Sequence, residues 1–99
     1  MRDNIAHRLN AIDIAHGHLF GIKVANDGER HTEPRTASLS EGEGGELLIH
    51  FSASGWVFNE FIGYAQDILA DYETIPGDGD GLALVVLPSP SLTLENIED

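Results

Sequence analysis

The chain has 99 residues, enough for one small domain, and its hydrophobic fraction of 41% is typical of a folded globule. It has no cysteine, which excludes disulfides, thiolate metal sites and cysteine nucleophiles. Its 17 acidic and 5 basic residues give a formal net charge of −12, and such a chain repels nucleic acid and anionic lipid but attracts basic protein surfaces.

The first predicted element is a helix over residues 5–15, IAHRLNAIDIA, because apolar side chains recur there at i, i+4 and i+7. Asp3 or Asn4 can cap its start, and Gly17 is a suitable stop. The next segment, HLFGIKVA over residues 18–25, has the alternation of a strand.

A polar segment and a strand follow. Residues 29–45 are rich in Ser, Thr, Glu and Gly, which predicts a flexible acidic loop; within it, residues 36–39 can form a short strand. ELLIHFSA, residues 46–53, predicts another strand, and Ser54 can cap the helix that comes next.

The second helix is predicted over residues 56–73, where apolar residues recur at spacings of three and four, and Pro76 ends the segment. LALVVL, residues 82–87, is apolar throughout and predicts a buried central strand. Residues 91–95 can add an edge strand before a frayed acidic end at 95–99. The expected core brings together side chains from the second helix and two strands: Phe58, Phe61, Ile62, Leu69, Ile49 and Val85.

The element order is therefore α-β-(β)-β-α-β within one domain spanning residues 1–99. This order predicts an α+β fold with an antiparallel or mixed sheet of three to five strands and two helices packed on it. No apolar run reaches the roughly 20 residues of a membrane span, and the N-terminus lacks the apolar core of a signal peptide. We expect a cytoplasmic monomer.

The segment PGDGDG, residues 76–81, has the aspartate spacing with which a calcium loop begins. An EF-hand needs a carboxylate or amide at the fifth position and glutamate at the twelfth. Counted from Asp78, Asp80 fits the third position, but Leu82 and Ser89 occupy the fifth and twelfth. We interpret the segment as a solvated turn.

Other catalytic and metal patterns are incomplete. His16 and His18 form an H-x-H pair, but a third ligand would have to come from His7, His31 or His50, without supporting spacing. FSASG has alanine where a nucleophile elbow needs serine, and EGEGGE would place three acids where a phosphate should lie. We therefore predict no metal, no cofactor and no enzyme activity.

The acids are the remaining candidates for function. Residues 1–35 hold five acids and all five basic residues, a formal charge of 5 − 5 = 0, whereas residues 36–99 hold twelve acids and no Lys or Arg. At 100° per residue, three acids of the second helix fall in one row, spaced like the phosphates of a nucleic acid. We predict that a partner contacts Glu41, Glu43 and Glu46 in the polar loop, Glu60, Asp67 and Asp71 in the helical row, and Glu73, Asp78 and Asp80 after it.

The chain resembles the small phage-encoded anti-CRISPR proteins in its size, its lack of cysteine, its acidic character and its lack of catalytic residues. The resemblance depends most on the acidic segment SEGEGGE, residues 40–46, and on the helical row of acids. The chain is most similar to the acidic members that imitate DNA against type I complexes, type I-C among them. The resemblance implies an inhibitor, acting in the host cytoplasm, that occupies the DNA-binding groove of a Cascade subunit. Two alternatives remain open: an immunity protein or antitoxin for a basic nuclease toxin, and a small domain of a salt-adapted organism.

Overall fold

The computed structural model describes residues 1–78 and 81–88, which form two helices and a five-stranded mixed sheet. This arrangement confirms the predicted α+β fold. In chain order the elements are α1 (Arg2–Ala15), β1 (Lys23–Ala25), β2 (Thr36–Glu41), β3 (Leu47–Phe51), α2 (Gly55–Ile68), β4 (Thr74–Pro76) and β5 (Leu82–Val86).

The strands lie in the order β1-β2-β3-β5-β4. Only β1 and β2 run parallel; the other neighbours are antiparallel, so the sheet is mixed. The predicted central strand, β5, lies between β3 and β4, while β3 occupies the middle of the sheet. The edge strand expected at residues 91–95 and the frayed end at 95–99 lie outside the described residues.

One hydrophobic core joins the two helices to one face of the sheet. Phe61, Leu69 and Ile49 are at most 1% exposed, as predicted, and Phe58 and Ile62 are partly buried against the same cluster. The expectation for Val85 is wrong, because the neighbouring residues of β5 turn inward and leave it half-buried. The largest fully buried apolar side chains are Ile5, Leu9, Phe20, Leu39, Leu47, Ile49, Phe61, Leu69, Leu84 and Val86.

The N-terminal helix begins earlier than predicted. Met1 is its N-cap residue and makes no side-chain cap hydrogen bond, so neither Asp3 nor Asn4 caps it. Asp3 lies in the first turn, where its negative charge faces the positive end of the helix dipole. The helix ends at Ala15, shortly before Gly17, which adopts a positive φ of 63°.

The strand predicted over residues 18–25 is mostly a turn, and only its last three residues form β1. Asp13 causes this turn: its backbone carbonyl accepts the N–H of His18 at 2.7 Å, and its carboxylate accepts the N–H of Phe20 at 3.1 Å. His18 has a positive φ of 61°, which a regular strand does not permit. Asp13 is only 5% exposed and therefore has a structural role.

The segment predicted as a flexible loop over residues 29–45 contains β2, which extends further than residues 36–39. Ala37 and Leu39 face the core, and Ser38, on the opposite face, is 0% exposed. The N–H of His31 donates to the Ser38 hydroxyl oxygen at 2.8 Å. The connection between β1 and β2 therefore crosses the sheet on the face opposite the helices.

The second helix starts at Gly55 with Ser54 as its N-cap residue, although the serine side chain makes no cap hydrogen bond. It ends at Ile68, five residues before the predicted end, and short turn bonds follow. Pro76 belongs to β4, a strand that the sequence did not predict, at the edge of the described sheet. Edge strands accept proline because one side of the backbone has no partner strand.

Candidate interaction surface

The structure distributes the predicted acidic residues over three parts of the fold. Glu41, Glu43 and Glu46 belong to the β2–β3 hairpin, Glu60 and Asp67 to the exposed side of α2, and Asp71, Glu73 and Asp78 to the segments around β4. Asp80 lies outside the described residues. The described members of the predicted set therefore come from three separate segments of the chain.

In the hairpin, one of the three acids has a structural function. The carboxylate of Glu46 accepts the N–H of Gly44 at 2.9 Å, and the Glu46 backbone carbonyl accepts the N–H of Gly42 at 2.8 Å. These bonds close the turn, and the Glu46 side chain is half-buried. Glu41 and Glu43 are exposed and can meet a partner.

The predicted helical row of three acids is reduced to two. Glu60 and Asp67 are exposed on α2, seven residues apart, which corresponds to about 10 Å along the helix axis. Asp71 lies beyond the end of the helix, where the 100° spacing no longer applies. Its two carboxylate oxygens accept hydrogen bonds from the Arg8 guanidinium of α1 at 2.6 and 3.0 Å.

The pair between Asp71 and Arg8 joins the end of α2 to α1. The hydrogen bonds from Arg8 hold the pKa of Asp71 below its ordinary value, and those to Asp71 raise the pKa of Arg8. The same guanidinium donates to the carbonyl of Ile68 at 3.0 Å and lies 5.3 Å from the ring centroid of Tyr72. Asp71 therefore pairs with Arg8 near the junction of the two helices, and its charge is already compensated.

Glu73 and Asp78 do not continue the row, because β4 separates them. β4 is antiparallel to β5, and the strand carries the chain from the hairpin end of the sheet, at Glu73, to the opposite end, at Asp78. Both side chains are exposed. The charge of Asp78 acts on His50 of β3, opposing the stronger effects of burial and of Arg30, which together lower the His50 pKa.

Two exposed aromatic residues flank Glu60 on α2. Trp56 is 54% exposed and Tyr64 is 37% exposed, four residues on either side of Glu60. The ring of the buried Phe20 lies beneath both, with centroid distances of 6.0 Å to Trp56 and 6.1 Å to Tyr64. The ring centroid of His16, the residue that follows α1, lies 4.4 Å from that of Tyr64.

Sequence reasoning missed this aromatic component. It treated the tryptophan as the start of a helix, although the spacing of Trp56, Glu60 and Tyr64 at i, i+4 and i+8 already placed them on one side. We call the exposed side of this helix the α2 face; its members are Trp56, Asn59, Glu60, Gly63, Tyr64 and Asp67.

A shallow, open depression lies at the centre of the α2 face. Asn59, Glu60, Gly63, Tyr64 and Asp67 line this depression of about 310 Å³, which we call the Gly63 notch. Of the described residues that line it, two carry carboxylates and none is basic. Beyond Tyr64 and Asp67, an apolar groove of about 370 Å³ lies between the helices, lined by Ala11, Ile12, Ala15, His16, Tyr64, Asp67 and Ile68.

The two histidines of the H-x-H pair make local contacts. The His16 Nδ1 atom lies 2.8 Å from the carbonyl of Ile12, and the His18 Nδ1 atom lies 3.3 Å from the Asp13 carboxylate. Within residues 1–78 and 81–88, no three His, Asp or Glu side chains converge as metal ligands. His50 lines a small cavity of about 40 Å³ beside Arg30, and its buried Nδ1 atom has no hydrogen-bond partner there.

The α2 face can thus bind cationic groups through two free carboxylates and two exposed aromatic rings. Neither described helix has the length and apolar composition needed to cross a membrane. No family model, curated protein or solved structure matches this chain. Its function must therefore be inferred from its own residues.

Proposed function

We propose that this protein is a non-enzymatic inhibitor that binds a basic, nucleic-acid-binding protein surface through the α2 face. The observation that carries the proposal is the charge asymmetry: after Arg35 the chain has twelve acids and no Lys or Arg. Such an asymmetry attracts basic surfaces and speeds association with them at low salt.

The spacing of the free acids supports imitation of a nucleic acid. Glu60 and Asp67 are seven residues apart, about 10 Å along α2. One strand of DNA carries a phosphate every 3.4 Å or so along its axis, so this separation corresponds to about three phosphate-to-phosphate intervals. A groove of Lys and Arg side chains that holds a phosphate backbone can accept both carboxylates. The aromatic rings add contact area of the kind found at binding hot spots.

The resemblance to acidic anti-CRISPR proteins supplies a concrete candidate partner. A Cascade complex of type I-C must hold target DNA in a basic groove in the cytoplasm, and we propose that the α2 face occupies that groove. An immunity protein for a basic nuclease would use the same electrostatics on a different partner.

The test is a competition assay with purified type I-C Cascade and a fluorescent duplex that contains its target. We expect the wild-type protein to displace the duplex, with an affinity that falls as salt rises, because both surfaces are screened within about 8 Å at physiological ionic strength. The double variant Glu60→Gln/Asp67→Asn should weaken the competition roughly tenfold, a loss of about 1.4 kcal/mol.

The matched control neutralises two acids elsewhere, in the hairpin, as Glu41→Gln/Glu43→Gln. It removes the same formal charge from exposed positions, so it separates a local contact from the effect of net charge. Nucleic-acid mimicry would be wrong if Cascade bound the protein and the duplex together, or if the α2 variant competed as well as wild type. A basic nuclease bound in place of Cascade would favour the immunity protein.

A further inference from the structure

Gly63 occupies a position in α2 where neither packing nor backbone geometry requires glycine. It lies in the interior of the helix and is absent from the residues with positive φ. A Cβ atom built on it meets no atom within 4 Å. Glycine is less favourable than alanine in a helix interior, so Gly63 lowers the stability of the helix and leaves the surface beside it without a side chain. This space is available to a group from outside the chain.

Two carboxylates flank this space from adjacent turns of the helix. Glu60 precedes Gly63 by three residues and Asp67 follows it by four, and residues at these spacings lie about 5–6 Å from one another on a helix surface. A cation held above the glycine therefore meets negative charge on two sides. An ammonium or a guanidinium satisfies this requirement.

Tyr64 adds an aromatic wall whose position is already fixed. His16 lies 4.4 Å from the ring on one side, and the buried Phe20 supports it at 6.1 Å. A guanidinium can stack its whole plane on this ring and direct N–H donors in that plane to carboxylates on opposite edges, whereas an ammonium has no plane to stack and acts as a point charge. The geometry therefore favours arginine over lysine.

We propose that the Gly63 notch receives a single arginine side chain of a basic protein partner, held between Glu60 and Asp67 and against Tyr64. This inference rests on the proposed function and identifies the contact that dominates it. The apolar groove shares Tyr64 and Asp67 with the notch, so the partner residue next to that arginine is apolar. Charge complementarity and the unfilled space together select this occupant.

The test uses synthetic peptides as probes, a nona-arginine and a nona-lysine peptide, titrated into ¹⁵N-labelled protein at low salt and followed by NMR. We expect the amides of residues 59–67 to shift most and nona-arginine to bind at least threefold more tightly than nona-lysine. The variant Gly63→Gln fills the notch with a neutral side chain and should weaken nona-arginine binding at least fivefold. Since glutamine is a better helix former, it should raise Tm by about 2–8 °C.

The matched control is Ala70→Gln, which places the same side chain at an exposed position after α2 and should change binding less than twofold. Tyr64→Leu keeps an apolar side chain but removes the ring, and it should reduce the preference for arginine. Unchanged binding by Gly63→Gln would overturn the notch, and equal affinity for both peptides would overturn the choice of arginine. Amide chemical-shift changes confined to Glu41 and Glu43 would refute binding at the notch, but they would still be consistent with a protein that binds its partner through acidic residues. Absence of binding to either peptide would refute both.

Discussion

Leu69 offers the sharpest test of the core that supports the α2 face. Its side chain is 0% exposed, and its backbone N–H still donates to the carbonyl of Ala65 at the end of α2. The variant Leu69→Ala removes three carbons, worth about 2.4 kcal/mol at about 0.8 kcal/mol per buried methylene. The cavity adds to this loss, so we expect the free energy of unfolding to fall by about 3–4 kcal/mol.

Urea denaturation followed by circular dichroism measures this change, with an unchanged m-value as the sign that only stability has altered. The loss is a large fraction of the roughly 5–15 kcal/mol typical of a native domain. Leu19→Ala is the control, because this leucine is 59% exposed and its truncation should cost less than about 0.5 kcal/mol. If the two variants unfold at the same urea concentration, the assignment of the buried helix face is refuted.

Two further predictions concern buried polar groups. Asp13→Ala leaves the buried N–H of Phe20 without its acceptor and should lower the free energy of unfolding, measured in urea, by about 1–3 kcal/mol. Asp13→Asn keeps an oxygen that can accept this hydrogen bond and should recover much of that loss. Equal losses in the two variants would contradict the structural role of the Asp13 side chain. Burial, aided by the charge of Arg30, lowers the pKa of His50, so the folded state favours the neutral ring. Stability should therefore decrease as the pH falls below the ordinary histidine pKa, about 6.5. His50→Leu should show a weaker dependence than wild type between pH 7.5 and 5.5, and an identical dependence would exclude His50 as its source.

The elements that could be predicted are those whose patterns repeat over several turns or residues. Ile5, Leu9 and Ile12 recur at helical spacing and are all at most 4% exposed in α1. β3 alternates between buried and half-buried residues as its sequence indicates. In these segments, the apolar pattern alone identifies the face that turns inward.

The remaining elements depend on neighbours distant in sequence. β4 has three residues, including proline, and forms only because β5 offers it hydrogen bonds. LALVVL is apolar on both sides, so its sequence does not show which side turns toward the core. The pairing register decides this: Leu84 pairs with Ile49 in the core, and Val85 pairs with Leu48 on the other side of the sheet.

The acidic row fails for a comparable reason. Nothing near Asp71 in the sequence shows that the helix has ended or that Arg8, 63 positions earlier, will bind it. The sequence does not predict the Gly63 notch either, because a glycine in a helical pattern does not show whether neighbouring side chains fill the space beside it. Of the candidate site, the sequence therefore identified the free acids Glu60 and Asp67 but not the geometry that joins them to Tyr64.

The two edges of the described sheet have a consequence for behaviour at high concentration. β1 and β4 have three residues each, too few to offer a long row of free backbone groups. Lys23, the only lysine of the chain, is exposed on β1, and Pro76 removes an N–H donor from β4. Short edge strands, lysine and proline are the features by which natural sheets resist edge-to-edge growth. The described sheet is therefore protected against aggregation by strand addition at both of its edges.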